Sequence, residues 1–182
     1  MTDAVRIYFD SCCFIDMVKY RRNADLVTET GRQRDVWFMG RLCDACRAGD
    51  IEIYTSTLTI AECLHGGDGV IDEEVQELFT KFLTSNQVAI TISADQFIAE
   101  ESRDLRWKHG INIKGADGIH IASSMFLGCA EFITTDAKIR HETAKFARAV
   151  GGLSAIGVKV IRASETQYLP DKYRQDILVE EK

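Results

Sequence analysis

The stretch VRIYFDSCCFIDMVKY, residues 5–20, decides the fold. Its first half, Val5-Arg6-Ile7-Tyr8-Phe9, is β-branched or aromatic and alternates, the pattern of a strand. Asp10-Ser11 then supplies a helix-capping pair. Phe14, Ile15 and Val18 recur on one helical face, which predicts a short helix over residues 11–20.

The same alternation continues outward along the chain. Residues 21–35 are polar and aperiodic and read as a loop-like insertion. A helix is predicted over 36–48, with Trp37, Phe38, Leu42 and Ala45 inward and Gly49 as its stop. Residues 51–56 form the second strand, and a helix over 57–65 ends at Gly66-Gly67. Another helix over 72–85 carries Val75, Leu78, Phe79 and Phe82 on one face. Strand 88–92, helix 94–109, helix 117–127 and strand 131–135 follow. A helix over 137–150 stops at Gly151-Gly152, and residues 158–162 make the last strand. Strands alternating with helices imply an α/β fold with a mainly parallel sheet of about five strands, covered by helices on both faces. The domain spans residues 1–162, and 163–182 read as a C-terminal tail.

Composition narrows the function. At 182 residues, with 46% hydrophobic and 27% charged, the chain is an ordinary globular domain. It shows neither a membrane-spanning apolar run nor a secretory signal pattern, so a cytoplasmic setting with six reduced cysteines is expected. Cys43 and Cys46 form a CxxC without a second pair or histidines to complete a zinc site, and they read as core residues. Cys12-Cys13 lacks the Gly/Arg anion loop of a thiol phosphatase. The net charge of −6 argues against a general nucleic-acid binder, although basic clusters such as Arg103, Arg106 and Lys108 occur locally.

Four acids fall where parallel sheets do their chemistry, at or just beyond the carboxyl ends of strands. Asp10 ends the first strand and Asp136 the fourth. Glu62 lies just after the second, and Asp117 opens a helix after Gly115-Ala116. Singly, each is accounted for equally well by capping, worth about 1 kcal/mol. Thr59 and Glu62 even have capping-box spacing. As a set they would repel. At about 4 Å and an effective dielectric near 20, each like-charged pair costs about 4 kcal/mol, against about 5–15 kcal/mol of net stability for a domain. A hard divalent cation is the simplest compensation.

These residues also carry a resemblance. YFDSCCFIDMV resembles the opening strand and helix of PIN domains, where an aspartate followed by Ser or Thr begins an acidic site. STLTIAECLHG is similar to the second PIN motif through Glu62. GADGIHIASSM resembles the third, an Asp-x-x-His-x-Ala helix start with Asp117, His120 and Ala122. FITTDAKI resembles the fourth, with Asp136. The motifs keep the family's order across residues 5–139. The resemblance is to PIN-domain ribonucleases, and within them to VapC-like toxins of toxin–antitoxin pairs. It implies a Mg²⁺- or Mn²⁺-dependent endoribonuclease, with Asp10, Asp117 and Asp136 holding metal and Glu62 completing the catalytic set. It also implies an RNA substrate, an antitoxin partner and a homodimer. An antitoxin tail would be expected in an apolar groove bearing Phe14, Met17, Trp37 and Phe38. His120 reads as structural rather than as a proton carrier, while Ser11 and Thr135 could hydrogen-bond the acids or metal waters. Two neighbouring readings are a PIN nuclease of RNA processing without an antitoxin and an inactive PIN-like binding module. The second sits poorly with four retained acids. Other phosphotransfer folds lack their acids here, since Cys12 stands where a dehalogenase-type phosphatase needs a second Asp.

Overall fold

The computed structural model describes residues 4–24, 30–63, 73–113, 115–136 and 144–174, without the side chains of residues 30 and 144–148. Strands β1 (Val5–Phe9), β2 (Ile51–Ser56), β3 (Ala89–Ile92), β4 (Glu131–Ile133) and β5 (Val160–Ile161) make one sheet in the order β3-β2-β1-β4-β5. Every neighbouring pair is parallel, as the alternation of elements predicts.

The period-two alternation of β1 sorts its side chains onto two cores. Ile7 and Phe9 face the cluster built with α1 (Ser11–Arg22), α2 (Thr30–Arg47) and α4 (Glu73–Leu83), where Phe14, Leu42 and Phe82 are fully enclosed. Tyr8 points the other way, toward α5 (Gln96–Trp107), α6 (Ala116–Phe126) and α7 (Ala144–Ala155), among Leu105, Ile121 and Leu153. Its ring stacks on Phe132 of β4 at 5.3 Å and 9°. Burying side chains of this size contributes about 1.5–3 kcal/mol each, so both sheet faces are strongly specified. The short α3 (Thr57–Glu62) sits at the carboxyl end of β2.

The chain runs from β1 outward to β3, then crosses back to lay β4 on the other side of β1. Strand order therefore reverses between β1 and β4. A crevice outside the carboxyl ends opens at such a reversal, and Asp10 and residues 134–136 lie there.

Three sequence expectations change. Helix α2 begins at Thr30, so residues 30–35 of the supposed insertion are helical, while 25–29 lie outside the described residues. The pattern was hidden because this turn buries polar groups. Asp35 is fully enclosed and accepts from Arg162 Nε at 2.6 Å and from the Ser164 backbone N–H and hydroxyl. Arg32 pairs with buried Asp16 at 3.1 Å. Second, α7 continues through Gly151-Gly152 to Ala155. A Cβ on Gly152 would stand 2.9 Å from Ile111 Cγ1, so this glycine permits close packing rather than stopping the helix. The chain turns at Gly157, with φ +85°. Third, residues 163–174 of the tail are docked. Ala163 and Leu169 are buried, the Thr166 hydroxyl donates to buried Glu131 at 2.6 Å, and Tyr173 and Lys172 reach Asp50.

The Gly66-Gly67 stop and the start of the predicted 137–150 helix lie outside the described residues. Among the described residues no helix is long and apolar enough to cross a membrane.

Candidate active site

Asp10 follows the central strand directly and is 3% exposed. It is the N-cap of α1, and Oδ1 accepts from the Ser11 N–H at 2.8 Å. The capping explanation therefore holds for this acid, but it occupies only one of its oxygens. Oδ2 accepts from the Thr134 hydroxyl at 2.7 Å and from the Cys12 thiol at 3.3 Å.

Capping does not account for the next two acids. The N-cap of α3 is Ser56, whose hydroxyl accepts from Leu58 N–H, and Glu62 is the last residue of that helix. Thr59 turns inward to the Thr55 hydroxyl, so no Thr59–Glu62 capping box forms. The N-cap of α6 is Gly115, with φ +66°, and Asp117 falls inside the first turn. In that turn the helix dipole favours its charge.

His120 brings Asp10 and Glu62 together. It projects from α6 with 1% exposure. Its Nε2 lies 2.7 Å from Glu62 Oε2 and 3.8 Å from Asp10 Oδ1. Its Nδ1 is 2.9 Å from the Tyr8 hydroxyl. Burial opposes a charged imidazolium here. The Glu62 hydrogen bond and the negative fields of Asp10, Glu62 and Asp117 outweigh it, and the His120 pKa is raised. Burial, above all, pushes the Tyr8 phenol far up, so its hydroxyl keeps its proton.

Asp136 is tied in through Thr134. The Thr134 hydroxyl donates to Asp10 Oδ2 and accepts from the Asp136 N–H at 2.9 Å. One buried hydroxyl thus joins the ends of β1 and β4. Asp117 contributes to the field at His120 across the same edge.

Among the described residues no group of three Asp, Glu, His or Cys side chains meets at metal-ligand spacing. The fit of a divalent cation rests on donor chemistry. Asp10 is a nearly enclosed carboxylate whose neighbours are hydroxyl, thiol and backbone donors, and the one basic group within 4 Å among the described residues is His120. Those donors fill lone pairs without neutralising charge, and an all-oxygen carboxylate set suits a hard cation. Cys43 and Cys46 are packed in or against the first core, away from these acids.

Several contributors escaped the sequence reading. Thr134 and Tyr8 look like ordinary strand residues in a linear pattern. Cys12 links Asp10, Thr134 and the Thr135 N–H, a role that its place in a Cys-Cys pair does not signal. Asp16 accepts from the Thr135 hydroxyl at 2.7 Å and pairs with Arg32, bracing the loop after β4. Its signal was a carboxylate inside the apolar run Phe14-Ile15-Asp16-Met17. Thr135 accordingly reaches Asp16, and Ser11 serves Asp10 through its backbone.

A parallel sheet with acids at its switch point is an α/β domain whose ligand site lies at the carboxyl ends of its middle strands. The PIN domain family matches residues 7–145, and the chain belongs to it. PIN domains are generally nucleases, acting on nucleic acid and typically using divalent metals. Among curated proteins, none matches the chain.

Proposed function

We propose that this PIN domain is a Mg²⁺- or Mn²⁺-dependent endoribonuclease of the cytosol and the toxin of a toxin–antitoxin pair. The observation that carries the catalytic part is the convergence of Asp10 and Glu62 on one buried imidazole at the strand-order reversal. Asp10, Asp117 and Asp136 would hold the ion, and Glu62 would complete the set. When bound, the ion supplies Lewis acidity that activates water and offsets charge developing on the phosphodiester.

The chain's own residues supply order. Ser11 N–H, Thr134 and Cys12 fix both oxygens of Asp10. Thr134 also holds the Asp136 backbone, and Asp16 braces Thr135 beside it. No Ser or Cys nucleophile is required, because water is the attacking group. The RNA 2′-hydroxyl need not react, so products carry 5′-phosphate and 3′-hydroxyl ends.

The toxin part is supported by the order and content of the four acidic motifs. A groove between α1, α2 and α4 is lined by Met17, Tyr20, Val36, Trp37 and Phe82. It is the expected place for an antitoxin tail, with one revision. Phe14 and Phe38 are enclosed in the core, and only Met17 and Trp37 of the expected four line it.

Purified protein incubated with single-stranded RNA tests the nuclease part. Cleavage with Mg²⁺ or Mn²⁺, stopped by EDTA and leaving 5′-phosphate ends, is expected. Equal cleavage in EDTA, or 2′,3′-cyclic ends, overturns the mechanism. Expression in a bacterial host should arrest growth, with rescue by the adjacent gene product. Normal growth with soluble, RNA-cleaving protein removes the toxin role and leaves the nuclease.

A further inference from the structure

We propose that His120 and Tyr8 are positioning residues that hold the Glu62 carboxylate beside Asp10. The inference rests on the nuclease reading and adds to it the residues that keep one of its acids in place.

Glu62 needs such a hold. It ends a helix of only six residues, and an isolated helix that short has little stability of its own. Its side chain is 29% exposed, so several rotamers compete. The negative charge of Asp10 favours those that swing away. The 2.7 Å bond from His120 Nε2 opposes this. A carboxylate only accepts, so Nε2 carries a proton whichever charge state the ring adopts. The hold does not depend on that charge.

His120 is itself fixed from two sides. Its helix approaches α5 so closely at Gly118 that a Cβ there would stand 2.5 Å from the Ser102 hydroxyl oxygen. Its Nδ1 meets the Tyr8 hydroxyl at 2.9 Å, with the rings edge-on at 61°. Tyr8 belongs to the middle strand and is locked by stacking on Phe132. Two hydrogen bonds therefore run from β1 through α6 to α3, and the Asp10 that Glu62 must meet leaves the same strand two residues after Tyr8. At 1% exposure His120 cannot touch a polymeric substrate, so it acts through the acids beside it, with its one short bond to Glu62.

Full-length His120→Leu, His120→Gln and Tyr8→Phe decide the matter. Leucine fills space without a donor, whereas the glutamine amide can donate where Nε2 does. His120→Leu should lower kcat for RNA cleavage on the order of 10–100-fold, the loss usual when a supporting hydrogen bond to a metal-site acid is removed, with KM unchanged. His120→Gln should recover most of that loss, and Tyr8→Phe should lose a few-fold. Proton NMR of the metal-free, RNA-free wild type should show a downfield, slowly exchanging imidazole N–H that moves in Glu62→Gln and vanishes in His120→Leu. A wild type with this resonance and no cleavage would refute the nuclease reading and keep the hold. Wild-type cleavage by folded His120→Leu, no rescue by glutamine, or absence of the resonance overturns the proposal. If His120→Leu fails to fold by circular dichroism, the resonance and the kcat of Tyr8→Phe decide in the same way.

Discussion

Replacing Thr134 with valine exchanges one hydroxyl for a methyl of similar size and removes the junction between β1 and β4. The hydroxyl donates to Asp10 Oδ2 at 2.7 Å and accepts from the Asp136 N–H at 2.9 Å. Thr134 is fully enclosed and Asp10 nearly so, so water cannot replace the lost donor to the carboxylate. A hydrogen bond to a charged group contributes about 1.5–3 kcal/mol. The Asp136 N–H lies in a partly exposed residue and can be rehydrated, adding little. The expected loss is about 2 kcal/mol, or a Tm lower by about 4–8 °C for a chain of this length. Freeing Asp10 and Asp136 together should also reduce RNA cleavage on the order of 10–100-fold. Thermal melts in EDTA and cleavage assays with Mn²⁺ measure the two effects, with Thr134→Ser as the variant that restores both. A Thr134→Val protein that melts lower yet cleaves like wild type would show the hydroxyl to be structural only, and an unchanged Tm would refute the geometry itself.

Asp117→Asn should abolish cleavage and leave the protein folded, because the N-cap of α6 is Gly115 and not Asp117; urea unfolding alongside the activity assay checks this. In metal-free protein the raised folded-state pKa of His120 means that its protonated form stabilises the fold below the unfolded value of about 6.5, and that this contribution is lost as pH rises through the folded value. Urea midpoints in EDTA should accordingly fall as the pH rises above about 6.5 for wild type, and fall less for His120→Gln. Changing Cys43 and Cys46 both to Ala should leave cleavage and metal content unaltered at a packing cost of about 1–3 kcal/mol; loss of a stoichiometric zinc by elemental analysis would contradict their core assignment.

Periodicity carried the strands, because each strand of a parallel sheet is a local pattern that burial enforces. The order β3-β2-β1-β4-β5 has no local signature, although it is what brings Asp10 and the 134–136 segment to one crevice. Asp10 and Asp136 were visible as acids at strand ends. That Glu62 and Asp117 are not caps was invisible, since Ser56 and Gly115 claim those roles only in three dimensions. Thr134, Tyr8 and Asp16 were missed for a shared reason. Each acts through a partner more than 100 residues away, at His120, Asp10 or Thr135. The helical start of α2 was missed because its inward residues are polar and pair with Arg162 and Asp16.

Isothermal titration of Mn²⁺ into metal-free protein, wild type against Asp10→Asn, tests the central claim most directly. That claim is that the acids at the β1–β4 edge form a divalent-cation site. Wild type should bind one or two ions, and Asp10→Asn, whose fold keeps its α1 cap through the side-chain carbonyl, should bind on the order of 10-fold more weakly or worse. No binding to folded wild type, or equal binding by both proteins, would contradict the account.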